Sequence, residues 1–303
     1  YVVDPQTSGT RFGFKGGAKI MAGVTAGYHI QLQWQVADAT RVTVDSDEGL
    51  DDPEFRLANW WIKHDQLGKL RVGQANTASS GIAEISVAYE LIADGMSSSQ
   101  AGGSIISGDL GGPAMSNFEG NRQNVIRYDT PTIGGFVASA AWGEDDFWDV
   151  ALRYAGEFGG IKVAAGIAYS EDTDDSNGIG ADGTTDVING GASIKHMPTG
   201  LFATVSAGQR YRWSQPDEDD FWHVSAGIEQ KWVSLGKTTL FGMGGDYNWG
   251  DDSSVNYWGL GAVQKIDAAA MDLYISYRNY EVESAANIES DFDVVVAGGR
   301  IKF

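Results

Sequence analysis

The sequence predicts an all-β protein, a transmembrane antiparallel β-barrel, and three observations carry that prediction. Long segments alternate apolar and polar residues with a period of two, the signature of a strand with two unlike faces. The connections between them alternate between tight turns and longer acidic stretches. No apolar run approaches the ~20 residues that a membrane-spanning helix needs, although the chain holds 10 Trp, 12 Tyr and 12 Phe.

Each element follows from its own residues. In the first segment, 10–17, Arg11 and Lys15 oppose Phe12 and Phe14, and Gly16-Gly17 reads as a tight turn. The second, 22–36, is the clearest. Val24, Ala26, Tyr28, Ile30, Leu32, Trp34 and Val36 alternate with Thr25, Gly27, His29, Gln31, Gln33 and Gln35. Soluble strands average about 5–6 residues, whereas a tilted strand crossing a bilayer needs about 9–11. Segments 53–66 and 69–76 meet at Leu67-Gly68-Lys69, and 124–130 and 135–144 meet at Pro131 to Gly135. Segments 146–158 and 160–171 join at Gly159-Gly160, and 186–197 and 201–214 at Pro198 to Gly200. Segments 220–234 and 238–250 join at Leu235-Gly236-Lys237, and 254–267 and 269–283 at Asp267-Ala268, before a last segment at 291–303. The intervening loops carry the acids of Asp45 to Asp52, Glu171 to Asp186, Gln215 to Asp220, Asp251-Asp252 and Glu281 to Asp291. Apolar faces end in Trp34, Tyr169, Trp213, Trp249 and Phe303, as an interfacial aromatic girdle requires. A two-sheet sandwich would show no such asymmetry between its ends.

Fifteen segments are visible, and single-chain bacterial barrels use even numbers. The expectation is therefore sixteen strands, with the first preceding segment 10–17, because Tyr1 to Ser8 is short and barely alternates. The whole chain, 1–303, reads as one barrel domain. Its single long connection, 75–123, is expected to fold into the lumen, since structureless loops beyond ~12–15 residues are usually functional or disordered. Within it Ile82, Ile85, Tyr89 and Ile92 recur at helical spacing, which predicts a short helix laid against the inner wall.

Composition excludes several classes of function. A net charge of −20 repels phosphates, so no nucleic-acid partner is expected. The absence of Cys removes thiol catalysis, disulfides and Cys-based zinc sites. His29, His64, His196 and His223 are scattered, with no metalloprotease or triad context, so the chain reads as a non-enzyme. Gly242, Gly244 and Gly245 lie within an alternating segment with no following helix, which fits close packing rather than a phosphate loop.

Several motifs resemble those of Gram-negative general diffusion porins, in the alphaproteobacterial style. Arg11-Phe12-Gly13-Phe14-Lys15-Gly16 resembles the second-strand motif of that family. The stretch from Asn124 through Arg127-Tyr128-Asp129-Thr130-Pro131 to Phe136 resembles the hairpin after its constriction loop. Leu70-Arg71-Val72-Gly73-Gln74 has Gln74 where the family often has Arg, and Asp149 to Glu157 has the alphaproteobacterial pattern. The closing Gly299-Arg300-Ile301-Lys302-Phe303 resembles the terminal strand whose last Phe is read by the insertion machinery. The resemblance implies a trimeric, water-filled barrel of sixteen strands in the outer membrane, in contact with lipid and lipopolysaccharide. Its third loop would narrow the pore, and small hydrophilic solutes would pass.

A diffusion pore works through the charges at its narrowest point. Parity places Arg11, Lys15, Arg71, Arg127, Arg153, Arg210, Arg212 and Arg300 on the polar, lumenal face. The loop supplies Glu84, Glu90, Asp94, Asp109 and Glu119 as candidate acids facing them, and the balance suggests a weak cation preference. No cofactor is required. Asp172, Asp174 and Asp175, with Asp217 and Asp219, offer oxygen-rich clusters suited to structural Ca²⁺ or Mg²⁺, or simply a hydrated acidic rim. The leading expectation is a passive channel. The alternatives are a substrate-selective channel, which aromatic residues along the lumen would favour, and a barrel that sheathes a partner protein.

Overall fold

The computed structural model describes residues 9–34, 53–88, 106, 115–144, 146–173, 184–213, 217–286 and 288–302. These hold fifteen strands: β1 (Thr10–Met21), β2 (Val24–Trp34), β3 (Glu54–His64), β4 (Gly68–Asn76), β5 (Arg122–Asp129), β6 (Phe136–Trp142), β7 (Trp148–Phe158) and β8 (Ile161–Asp172). Then follow β9 (Thr185–His196), β10 (Leu201–Arg212), β11 (Asp219–Val233), β12 (Gly236–Asn248), β13 (Ser254–Ile266), β14 (Met271–Glu283) and β15 (Glu289–Ile301). Each pairs antiparallel with the next, in one sheet ordered from β1 to β15. β1 and β15 are its edges, yet Arg11 on β1 and Arg300 on β15 are near enough to repel each other, so the sheet curls round.

The period-two pattern becomes two unlike surfaces. On β10, Leu201, Ala203, Val205 and Ala207 are exposed outward while Phe202, Thr204 and Ser206 are buried inward. The outward belt includes Phe14, Trp60, Ile126, Trp142, Trp213, Leu260 and Ile301, all more than half exposed. So large an apolar surface is stable facing hydrocarbon and not water.

Gly16-Gly17 is not a turn. β1 continues to Met21, and the chain reverses at Ala22-Gly23. The glycines serve close packing instead. Gly17 and its partner Gly27 lie beneath the Trp61 ring, and a Cβ on Gly27 would come 2.4 Å from that ring. The expected helix is also absent over its described part. Residues 78–88 run through turns and bends, while Tyr89 and Ile92 lie outside the described residues. The described half of the apolar stripe nonetheless lies against the inner wall. Ile82 is fully buried and Ile85 partly so, against Ala75, Val125, Ala141, Ala151 and Ala168 of the inner wall. Full burial of such a side chain is worth about 1.5–3 kcal/mol.

A second interior cluster covers β11 to β15. Phe221, Tyr247, Tyr257, Tyr280 and Phe292, one from each successive strand, form a stacked aromatic shelf with centroid separations of 5.2–6.2 Å. Ile106, Met115 and Phe118 of the long loop pack on it.

Candidate channel constriction

The long loop, between the end of β4 and the start of β5, is fastened at its root by three wall residues. Arg127 on β5 donates from Nη1 to the Asn76 and Thr77 carbonyls at 3.2 and 2.6 Å, and holds Asp129 through Nε and Nη2. Arg153 on β7 donates from Nη2 to the Ala78 and Ser80 carbonyls at 2.7 and 2.8 Å. Asp149, fully buried on the same strand, accepts from the Ala78 and Ser79 amides and the Ser79 hydroxyl at 2.6–2.9 Å. Hydrogen bonds to charged partners contribute about 1.5–3 kcal/mol each. Further along, Ser193 Oγ accepts from Val87 N, and Asn189 Nδ2 donates to the Asn117 carbonyl, so the loop reaches the inner face of β9. The loop therefore crosses the lumen.

Glu119 and Glu84 take different parts. Glu119 turns inward to the loop and accepts from the amides of Gly81, Ala83 and Glu84 at 2.7, 2.7 and 3.0 Å. Burial pushes its carboxyl up to about 7, with repulsion from Glu84 adding to the rise and the three amides opposing it. Glu119 is thus a brace of the loop rather than a lining acid. Glu84 is exposed. Its carboxylate acts on Arg56 of β3 and Arg122 of β5, which in turn repel each other and Arg11. Glu90, Asp94 and Asp109 lie outside the described residues.

The sequence-predicted cations divide in the same way. Arg11 and Lys15 are exposed on the inner face of β1, and Arg71 stands half-buried directly opposite Arg127. Arg127 and Arg153 face inward as expected but hold the loop. Arg210 and Arg212 also face inward, yet both grip the fully buried Asp219, at 2.7 and 2.6 Å, and flank the Trp249 ring. Arg300 pairs with Asp272, which also receives Lys302 at 3.0 Å. Asp219, a candidate cation ligand, is therefore committed to two guanidiniums and the Gly250 amide. Asp217 is exposed and Asp172 half-buried, while Asp174 and Asp175 lie outside the described residues. Among the described residues no group of three acids or histidines is arranged to hold a metal ion.

Arg56 and Arg122 were not legible as lining residues. Counting back from outward Trp60 would place Arg56 outward, but a bulge leaves it unpaired between Phe55 and Leu57 and turns it to the lumen, where it donates to Gln33 at 2.8 Å. Arg122 lies two residues before the expected start of its strand.

The sequence pattern of the Gram-negative porin family matches residues 4–285. No curated protein sequence matches the chain. Among solved structures, the chain is similar to an anion-selective porin from Comamonas acidovorans (18% identity, 96% of this chain and 86% of that one, TM-score 0.62). It is also similar to Salmonella typhi OmpF in complex with daunomycin (15%, 95% and 88%, TM-score 0.60). The trimer form of OmpT, an outer membrane protein of Vibrio cholerae, matches at 15% identity over 96% and 89%, with a TM-score of 0.58. With its strand order, its lipid-suited exterior and an inward loop facing wall arginines, the chain belongs to the Gram-negative porin family, the channel-forming β-barrels of the outer membrane.

Proposed function

We propose that the protein is a passive diffusion channel, without catalytic activity, whose narrowest passage lies between Glu84 and the wall formed by Arg11, Arg56, Arg71 and Arg122. The observation that carries this reading is a surplus of uncommitted cations on β1 to β5. Among the described residues no carboxylate comes within ion-pair distance of Arg11, Arg71 or Arg122, whereas Arg127, Arg210, Arg212 and Arg300 are each paired. In a narrow passage with low-dielectric walls, such a row concentrates counter-ions. The described charges thus favour small anions, against the weak cation preference that the loop acids suggest.

The test is a planar-bilayer recording under a KCl gradient. Ohmic steps with a reversal potential on the chloride side are expected, and Arg56→Gln with Arg122→Gln should move it toward zero. A potential on the potassium side would mean that Glu90, Asp94 and Asp109 outweigh the wall. Three such barrels associating as a homotrimer, with lipid and lipopolysaccharide around them, is the assembly we infer from the family and from the trimer form of the Vibrio protein.

A further inference from the structure

From the constriction wall at Arg71 toward the tight turns, the inner faces of β1 to β5 carry a basic group with an indole at its centre. Three rows of cross-strand neighbours define it. One runs Lys15, His29, Asn59, Gly73, and the next Gly17, Gly27, Trp61, Arg71, Arg127. The third runs Lys19, Thr25, Lys63, Lys69, Asp129. Six permanent cations therefore share these rows with one carboxylate, Asp129, which is already held by Arg127 and by Ser139 Oγ at 2.7 Å.

Two features separate this patch from a diffuse positive field. First, like charges stand directly opposite each other in two places, Arg71 against Arg127 and Lys63 against Lys69. Such pairs destabilise a sheet, a cost that a shared anion removes. Second, the patch is preorganised. Gly17 and Gly27 leave bare backbone on which the Trp61 ring rests, and Lys69 Nζ stands 4.6 Å from the ring centroid. A cation–π contact holds an ammonium in place without neutralising it. Arg71 adds a planar donor fork suited to carboxylate or phosphate oxygens.

We propose that this patch is a binding site for small anions carrying two or more negative charges, polyphosphates or di- and tricarboxylates, held in transit. The site rests on the channel reading above, because the anion reaches it through the lumen. A monovalent ion engages one cation at a time, whereas a polyanion spans Lys69 and Arg71 and relieves both opposed pairs.

The test is titration calorimetry of the folded protein in detergent at about 0.1 M KCl, where exposed charges more than ~10 Å apart are screened. Pyrophosphate and citrate are titrated separately, with single-channel recording in parallel. Saturable binding of at least one is expected, and Lys69→Gln with Arg71→Gln should weaken it by about tenfold or more, the loss of one or two charge-assisted contacts. Binding of pyrophosphate alone assigns phosphate chemistry, and binding of both assigns polyanions in general. Trp61→Leu, which keeps every charge, should weaken binding by about threefold, a loss of the order of one exposed cation–π contact. The proposal is overturned by the absence of saturable heat with either anion, or by equal affinity in a double variant that retains the wild-type strand content. A protein that binds but does not conduct defeats the diffusion reading and leaves the site standing. One that conducts but does not bind defeats the site alone.

Discussion

At the scale of single residues, the structure separates charges that hold the loop from charges that border the passage. Asp149 is the sharpest case of holding. It satisfies two buried amides and a hydroxyl of the loop root, and Asp149→Ala leaves those donors unpaired in a dry site at about 1–3 kcal/mol or more. The expected outcome is faster limited proteolysis between residues 77 and 121 and noisier single-channel current; an unchanged cleavage rate would contradict the role. Glu119 gives a pH dependence whose sign follows from its environment. Its folded carboxyl keeps a proton up to about 7, above the ordinary glutamate value of 4.5. The packed loop therefore takes up a proton between those values, and its stability declines as pH rises from about 4.5 through 7. Cleavage of the loop should be several-fold faster at about pH 8 than at about pH 5.5, and Glu119→Gln should flatten that difference. Equal rates at both values in the wild type would remove Glu119 from this part.

At the scale of elements, most strands were legible because their two faces meet different media. Alternation over Val24 to Trp34 or Leu201 to Arg212 survives folding unchanged, since lipid selects one parity and the interior the other. Legibility failed where a tertiary contact, not a medium, chose the residue. Gly16 and Gly17 look like a turn, but Gly17 is small because Trp61 lies over it, and Gly16 because a Cβ would meet the Tyr28 ring at 2.7 Å. Arg56 escaped because a bulge inverts parity within one strand. The aromatic shelf escaped too, since nothing local marks inward Tyr247, Tyr257 and Tyr280 as floor for a distant loop. Two variants test these accounts by heat-modifiable gel migration and refolding yield. Gly27→Val drives a side chain into the Gly16 carbonyl and the Trp61 ring, and should abolish or strongly reduce refolding. Leu260→Arg, on a mid-strand outward position exposed by 60%, should destabilise by about 2–4 kcal/mol, the cost of a cation facing the bilayer core. Wild-type refolding of both would undo the assignment of inner and outer faces.

At the scale of the whole molecule, net charge says little about where charge lies along the passage. The chain is strongly acidic at −20, yet the passage between loop and wall is bordered, among the described residues, by Arg11, Arg56, Arg71 and Arg122 against Glu84. The family was legible from motifs spread along the chain; the position of the lumen was not, because it depends on where a long loop comes to rest. That loop leaves β4, is tied to β7, passes β9 and packs on the shelf of β11 to β15. Among the described residues, Glu84 of the loop faces the side bounded by β1 to β5. Charge-reversing substitutions at Arg11, Lys15 or Arg122 are expected to shift reversal potential without altering thermal stability by more than a few degrees. Substitutions in the shelf, such as Tyr257→Ala, should lower thermal stability first. A shelf variant that changed ion preference at unaltered stability would break this division.

The division of the interior between a fastening side and a filtering side has an evolutionary consequence. On the proposed reading, the residues that decide what passes occupy a contiguous first part of the strand order, and few of them carry the weight of the loop. A lineage facing a new nutrient could exchange Arg11, Lys15, Lys69 or Arg122 one at a time, each change leaving the scaffold intact. Diversity of permeability would then accumulate in those five strands, while the later ones drift slowly under the demand that the loop keep its seat.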